Sequence, residues 1–161
     1  MACAGVRPLN CGVRLLGVAM SMDLYVFLAL GTAPGITQWQ AALDAHRLPV
    51  QFQAHADLPK HAGFLPIKVD GASTGFYFGL ENQRELEASY PEIAAGHLQP
   101  GTVFAFSFAH LDECAAAYYS AAALALSFNG VAFDPQESKF LTATDLRNTA
   151  DTCANEARKH R

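Results

Sequence analysis

Between Thr102 and Phe133 the chain changes its hydrophobic period twice, and no other stretch limits the fold more. Phe104, Phe106 and Phe108 recur at every second position, as the buried face of a strand does. The spacing then becomes helical. An alanine-rich run from Glu113 to Phe128 reads as a long helix, with Asp112 expected as its N-cap and Gly130 at its C-terminal end. Val131 to Phe133 returns to a short strand. An aromatic strand leading directly into such a helix predicts helices packed on the aromatic face.

The same order of elements opens the chain. Leu24 to Leu30 reads as a strand, and Gly31 to Gly35 is a turn. Thr37 with Gln40 three residues later forms a capping-box pattern ahead of Trp39, Ala42, Leu43 and His46 at helical spacing, and Pro49 stops that helix. Trp39 is the expected core anchor. Val50, Phe52 and Ala54 then alternate with glutamines.

Between these two passages, Leu65, Ile67 and Val69 alternate as a strand. A turn over Gly71 to Gly75 leads into the aromatic strand Phe76 to Leu80, so the pair predicts a hairpin. Pro66 lacks a ladder donor, which signals an edge or a bulge. Glu81 to Ala95 is a charged connector interrupted by Pro91, and Thr142 with Asp145 opens a final helix whose tail is expected to fray. Together these elements predict an α+β fold, ferredoxin-like in outline. Its mostly antiparallel central sheet carries two principal helices on one face.

With 161 residues, half of them apolar, the chain fits one domain with a substantial core. Asp23 and Pro34 interrupt the early apolar region, so no run approaches the roughly eighteen apolar residues of a membrane helix. Arg7 and Arg14 before Leu15 to Met20 loosely imitate a signal peptide, but the run leads into Asp23 rather than a small-residue cleavage site. Residues 1–19 are therefore expected to be a disordered or non-native leader, and 20–161 a single domain. Cys3, Cys11, Cys114 and Cys153 form no CxxC pair, so neither a zinc site nor a disulfide is expected. A reducing, cytoplasmic location follows from that expectation.

Charge is distributed unevenly. All fifteen Asp and Glu lie between Asp23 and Glu156, where only Arg47, Lys60, Lys68, Arg84, Lys139 and Arg147 oppose them, an excess of nine negative charges. The other five basic residues stand at the two ends. Such a body repels phosphate backbones, so nucleic acid is not an expected partner and a basic protein is.

No catalytic motif stands out. His55, Asp57 and His61 offer metal-ligand chemistry within seven residues, but Lys60 lies among them and no fourth ligand follows by spacing. Gly31 to Thr37 joins a strand to a helix, yet Ile36 stands where a phosphate-binding loop needs Lys. Cys114 in the first turn of a helix is flanked by Asp112 and Glu113, which oppose thiolate formation, so it reads as a small buried residue. Phe76, Tyr77 and Phe78 resemble base-stacking strands, but the surrounding acidity favours core packing. Glu81, Glu85, Glu87 and Glu92 oppose Arg84 alone and are the leading docking surface, with Asp112 and Glu113 added as further acidic binding residues.

The segment Phe128-Asn129-Gly130-Val131-Ala132-Phe133-Asp134-Pro135, followed by Phe140-Leu141, resembles small bacterial proteins that include toxin-neutralising immunity proteins. The strand starting Met22-Asp23-Leu24-Tyr25, the Trp39 helix and Gly63-Phe64-Leu65-Pro66 share that likeness. The resemblance implies a binding role toward a cognate protein toxin, with no cofactor, no metal and no catalytic residues. A second expectation is a small enzyme or ligand-binding domain that uses the His55 to His61 loop with Asp70 near a cleft. A third is a homo-oligomer joined through a sheet edge.

Overall fold

In a computed structural model that describes residues 21–161, seven strands form one sheet in the order β2-β3-β4-β5-β1-β6-β7, every neighbouring pair antiparallel. In chain order the elements are β1 (Met22–Ala29), α1 (Ile36–Ala45), β2 (Val50–Phe52), a 3-10 turn (Leu58–Lys60), β3 (Gly63–Val69) and β4 (Ala72–Glu81). There follow α2 (Gln83–Ser89), α3 (Pro91–Ala95), β5 (Gly101–Phe108), α4 (Leu111–Phe128), β6 (Val131–Asp134), β7 (Lys139–Leu141) and α5 (Ala143–Lys159). The expected leader, 1–19, lies outside the described residues.

The α+β class and the antiparallel sheet stand as expected. β5, α4 and β6 form a split unit, because β5 and β6 run the same way with β1 paired between them. One sheet face carries α1 and α4. Leu24, Val26, Phe76, Phe78, Phe104 and Phe106 point into this core, where Trp39 is fully buried. Trp39 contacts the rings of Phe52, Phe78, Phe104 and Phe106 at centroid distances of 5.0–6.1 Å, and its indole N–H donates to the Ser120 carbonyl at 2.9 Å. The anchor therefore has both an apolar body and a satisfied polar tip.

Helix α4 is buried around its whole circumference from Ala115 to Leu124. Alanine is needed there because the sheet, α1 and α5 approach it together, and larger side chains would hold them apart. Helix α5 lies antiparallel to α4 through Leu146, Ala150, Cys153, Ala154 and Ala157, and it stays helical to Lys159 where fraying was expected. Cys114 and Cys153 are joined by a disulfide across this helix pair. That corrects the expectation of unpaired cysteines: 39 residues separate the two in sequence, so no local spacing signals the bond, and only the docking of α5 on α4 creates it.

Several local expectations shift in register. The cap of α1 is Gly35, whose N–H is held by Gln38 at 3.2 Å, so the Thr37/Gln40 pattern is not the capping box. Gln40 instead donates to the Val50 carbonyl at 2.9 Å and accepts from the Phe52 N–H at 2.8 Å. It pairs with the free edge of β2 as another strand would, which blunts that edge. With its amide nitrogen turned toward the Asp23 carbonyl, Gln136 pairs with the part of β1 that runs past the end of β6, donating at 2.9 Å and accepting from the Asp23 N–H at 3.1 Å. The hairpin between β3 and β4 turns at Asp70-Gly71, both with positive φ (51° and 80°), so β4 begins at Ala72, four residues before the Phe76 that a Gly71 to Gly75 turn implied. Pro66 accepts from the Gln53 N–H at 3.1 Å but cannot return a donor, so the β2–β3 ladder ends there.

Candidate functional site

Residues of β1, β4 and β5 that face away from Trp39 form the second sheet face. Helices α2 and α3 cover only one end of it, where Leu86 and Ile93 pack on Phe27, Val103 and Phe133. Beyond that lid no other element of the described residues covers the face. Tyr25, Ala105 and Gly79 stand in register across one row, and Asp23, Ser107, Tyr77 and Phe64 across the next.

These residues make a trough of about 260 Å³. Gly79, Ala105 and Ser107 give it a low floor, since none carries a side chain large enough to fill it. Tyr25 forms one wall, with Tyr90 packed on it at 6.4 Å. Tyr77 forms the other, with Phe64 packed edge-on at 5.4 Å. Tyr77 is 56% exposed and Phe64 43%, an unusual amount of bare aromatic surface for adjacent strand positions. Phe64 also lies across Gly75, where an added Cβ would fall 2.5 Å from the ring.

Two carboxylates border the trough, Asp23 and Glu81. Burial raises the Asp23 carboxyl above its usual range, offset in part by the Ser107 hydroxyl, which in turn contacts the Ser21 hydroxyl at 2.7 Å. The Tyr25 hydroxyl is also held above its ordinary value, first by burial and then by the negative charge of Asp23, Tyr90 and Glu81 around it. The four ion pairs among the described residues involve Asp57, Asp70, Glu137 and Glu156, so neither Asp23 nor Glu81 has a cationic partner there. By strand and residue spacing the two Cα positions lie roughly 16 Å apart, too far to act as an acid–base pair.

The acidic residues singled out in the sequence do not form one patch. Glu81 borders the trough, and Glu85, Glu87 and Glu92 follow on α2 and α3 at the same end of β5. Asn82 caps α2 by accepting from the Glu85 N–H at 3.1 Å, and Glu87 accepts from Gln83 at 3.0 Å. Asp112 and Glu113 begin α4 beyond Phe108, at the opposite end of β5. Asp112 is not the N-cap. His110 holds that position, and Glu113 reaches back to the Ala109 and His110 N–H groups at 2.8 and 3.4 Å. Glu113 therefore serves the helix terminus.

In the His55 to His61 loop, Asp57 pairs with Lys60 at 3.9 Å and His61 contacts the Phe64 carbonyl at 3.1 Å. Asp70 pairs with Arg158 at 3.0 Å. No group of three or more His, Cys, Asp or Glu suited to hold a metal occurs among the described residues. His55 lines a separate cleft of about 420 Å³ between α1 and β2, together with Ile36, Ala41 and Phe52.

Sequence reasoning missed Asp23, Tyr25, Gly79, Ala105 and Ser107. A signal was present: positions alternating with Phe76 and Phe78, and with Phe104 and Phe106, are small or tyrosine rather than charged, which is atypical of a face turned to water. No helix of the described residues is long and apolar enough to cross a membrane. No family model, curated protein or solved structure matches the chain.

Proposed function

We propose that this chain is a binding protein of the immunity type that docks a basic protein partner on the open half of its sheet. The carrying observation is the trough itself: aromatic walls, a floor of small residues and two carboxylates that form no ion pair among the described residues, on a body with an excess of nine negative charges between Asp23 and Glu156. Aromatic anchors set in a partly desolvated depression are where interface energy concentrates. Glu85, Glu87 and Glu92 extend the negative field beside it and speed encounter with a positive surface. The immunity assignment itself draws on the sequence resemblance, and the docking site on the geometry.

Cytoplasmic location was expected from unpaired cysteines, and the Cys114–Cys153 bond removes that ground. Disulfides persist in oxidising compartments, so the proposed setting for the encounter is an oxidising one. A second reading, a small-ligand domain, is favoured by the apolar cleft beside His55.

The test uses the product of the neighbouring reading frame as partner and measures association across a salt series. Docking on this face predicts an on-rate that falls with salt, and a further drop of about tenfold when Glu81, Glu85, Glu87 and Glu92 are all changed to Gln. Salt-independent association, equal in wild type and variant, would sink the reading. Saturable binding of an apolar dye, lost in a Phe52 variant and competed by no protein, would move the weight to the cleft.

A further inference from the structure

Resting on the basic-partner reading, we infer that the trough over Gly79 is a pocket for one arginine side chain of the partner, its guanidinium lying along the tyrosine walls and paired with Asp23. The geometry supplies each element that a guanidinium requires. It is planar, weakly hydrated and able to stack on aromatic rings while donating to a carboxylate, and Tyr25 and Tyr77 flank the space where it would lie. The walls stand two strands apart, about 10 Å between backbones, which leaves room for one flat group between rings that rise from the sheet.

Asp23 is placed to receive it. The residue borders the trough in register with Ser107, and its backbone is fixed by Gln136. No Lys or Arg among the described residues forms an ion pair with it. A half-buried carboxylate left without a cation is costly to the free protein, and a bound guanidinium removes that cost in the complex. Lysine suits the space less well, because its compact and strongly hydrated ammonium gains less from stacking.

Gly79 provides a clean way to close the pocket. A Cβ added there meets nothing within 4 Å, so Gly79→Leu is the variant expected to occupy the trough. In a strand, replacing glycine also removes backbone freedom from the unfolded chain, which favours folding.

The experiment is a proton–nitrogen NMR titration with Nα-acetyl-arginine amide, alongside the lysine analogue and the neutral isostere Nα-acetyl-citrulline amide. The expected result is shifts centred on the amides of Gly79, Ala105 and Ser107. Arginine should bind at least about threefold more tightly than lysine, citrulline should leave the trough unperturbed, and the response should fall about tenfold in Asp23→Asn and in Gly79→Leu. Tyr77→Ser serves as a second variant if Gly79→Leu folds poorly. Equal shifts from citrulline, or arginine shifts confined to α2 and α3, would overturn the pocket. The protein partner separates this failure from that of the wider reading: salt-dependent association untouched by Gly79→Leu keeps the basic partner and rejects the arginine pocket. Arginine binding in the trough without any salt-dependent partner does the reverse.

Discussion

The two faces of the sheet use the same strands to opposite ends. Toward α1 and α4, β4 and β5 present Phe76, Phe78, Phe104 and Phe106, closed over by Trp39. On the other side the alternate positions are Gly75, Tyr77, Gly79, Ala105 and Ser107, and among the described residues α2 and α3 cover only one end of that face. A solvated sheet face is ordinarily polar, whereas this one is small, aromatic and sparsely acidic. One face is thus filled from within the chain, and the other is the face on which we propose that a partner docks.

The largest effect belongs to the closed face. Trp39→Ala should cost roughly 3–5 kcal/mol in chemical denaturation, because it empties the centre of the aromatic cluster and leaves the Ser120 carbonyl without its indole donor. A loss below about 1 kcal/mol would mean that this face is not the core.

Next comes the clamp that holds α5 on α4. Reducing Cys114–Cys153, or changing both to Ser, should cost about 2–4 kcal/mol for a closed loop of 39 residues, read as a lower Tm in the presence of reductant. An unchanged Tm would show that small-residue packing alone holds the helix pair.

Gln40→Ala should cost about 1–2 kcal/mol by freeing the Val50 carbonyl and the Phe52 N–H, and it should promote self-association through the bared β2 edge. Sedimentation at increasing protein concentration checks the second part. If the variant self-associates no more than wild type, the edge is protected by its shortness instead.

On the open face Tyr77→Ser should change stability by no more than about 1 kcal/mol, since it removes only a cross-strand contact with Phe64. Partner binding should nonetheless fail. A large stability loss with binding preserved would reverse the contrast between the faces.

The smallest effect is a pH dependence at Asp23. Its carboxyl is raised in the folded protein, chiefly by burial, so the folded state binds the proton more tightly than the unfolded one. Stability at this group therefore falls as pH rises from the unfolded value through the raised folded one, and the cost is complete above it. Asp23→Asn should be modestly more stable than wild type at neutral pH, with the advantage vanishing below the ordinary carboxylate range. Denaturation at neutral and acid pH distinguishes this from a general charge effect, for which Glu92→Gln on exposed α3 is the control.

Much of the fold was legible because periodicity is local. Phe104, Phe106 and Phe108 announce a strand, the alanine-rich run after Glu113 announces a long helix, and Thr142 with Asp145 does cap α5. Capping patterns were less secure, because several residues near a helix start can take the role. Gln38 and Glu113 took it, which released Gln40 for the β2 edge.

The candidate site was scarcely legible. Glu81 was visible as one of a charged run, but nothing near it in sequence places Asp23, Tyr77 and Ser107 in one row. That row exists because β1 and β4 both pair with β5, and strand order is decided by long-range packing rather than by neighbouring residues. The disulfide has the same origin, in the docking of α5 across α4. The sequence by itself determined which segments are strands and helices, and that the body is acidic, because period and charge are carried residue by residue. Tertiary structure alone decided which residues line the trough, which carboxylates find an ion-pair partner among the described residues and which cysteines meet, because each depends on register between segments far apart in the chain.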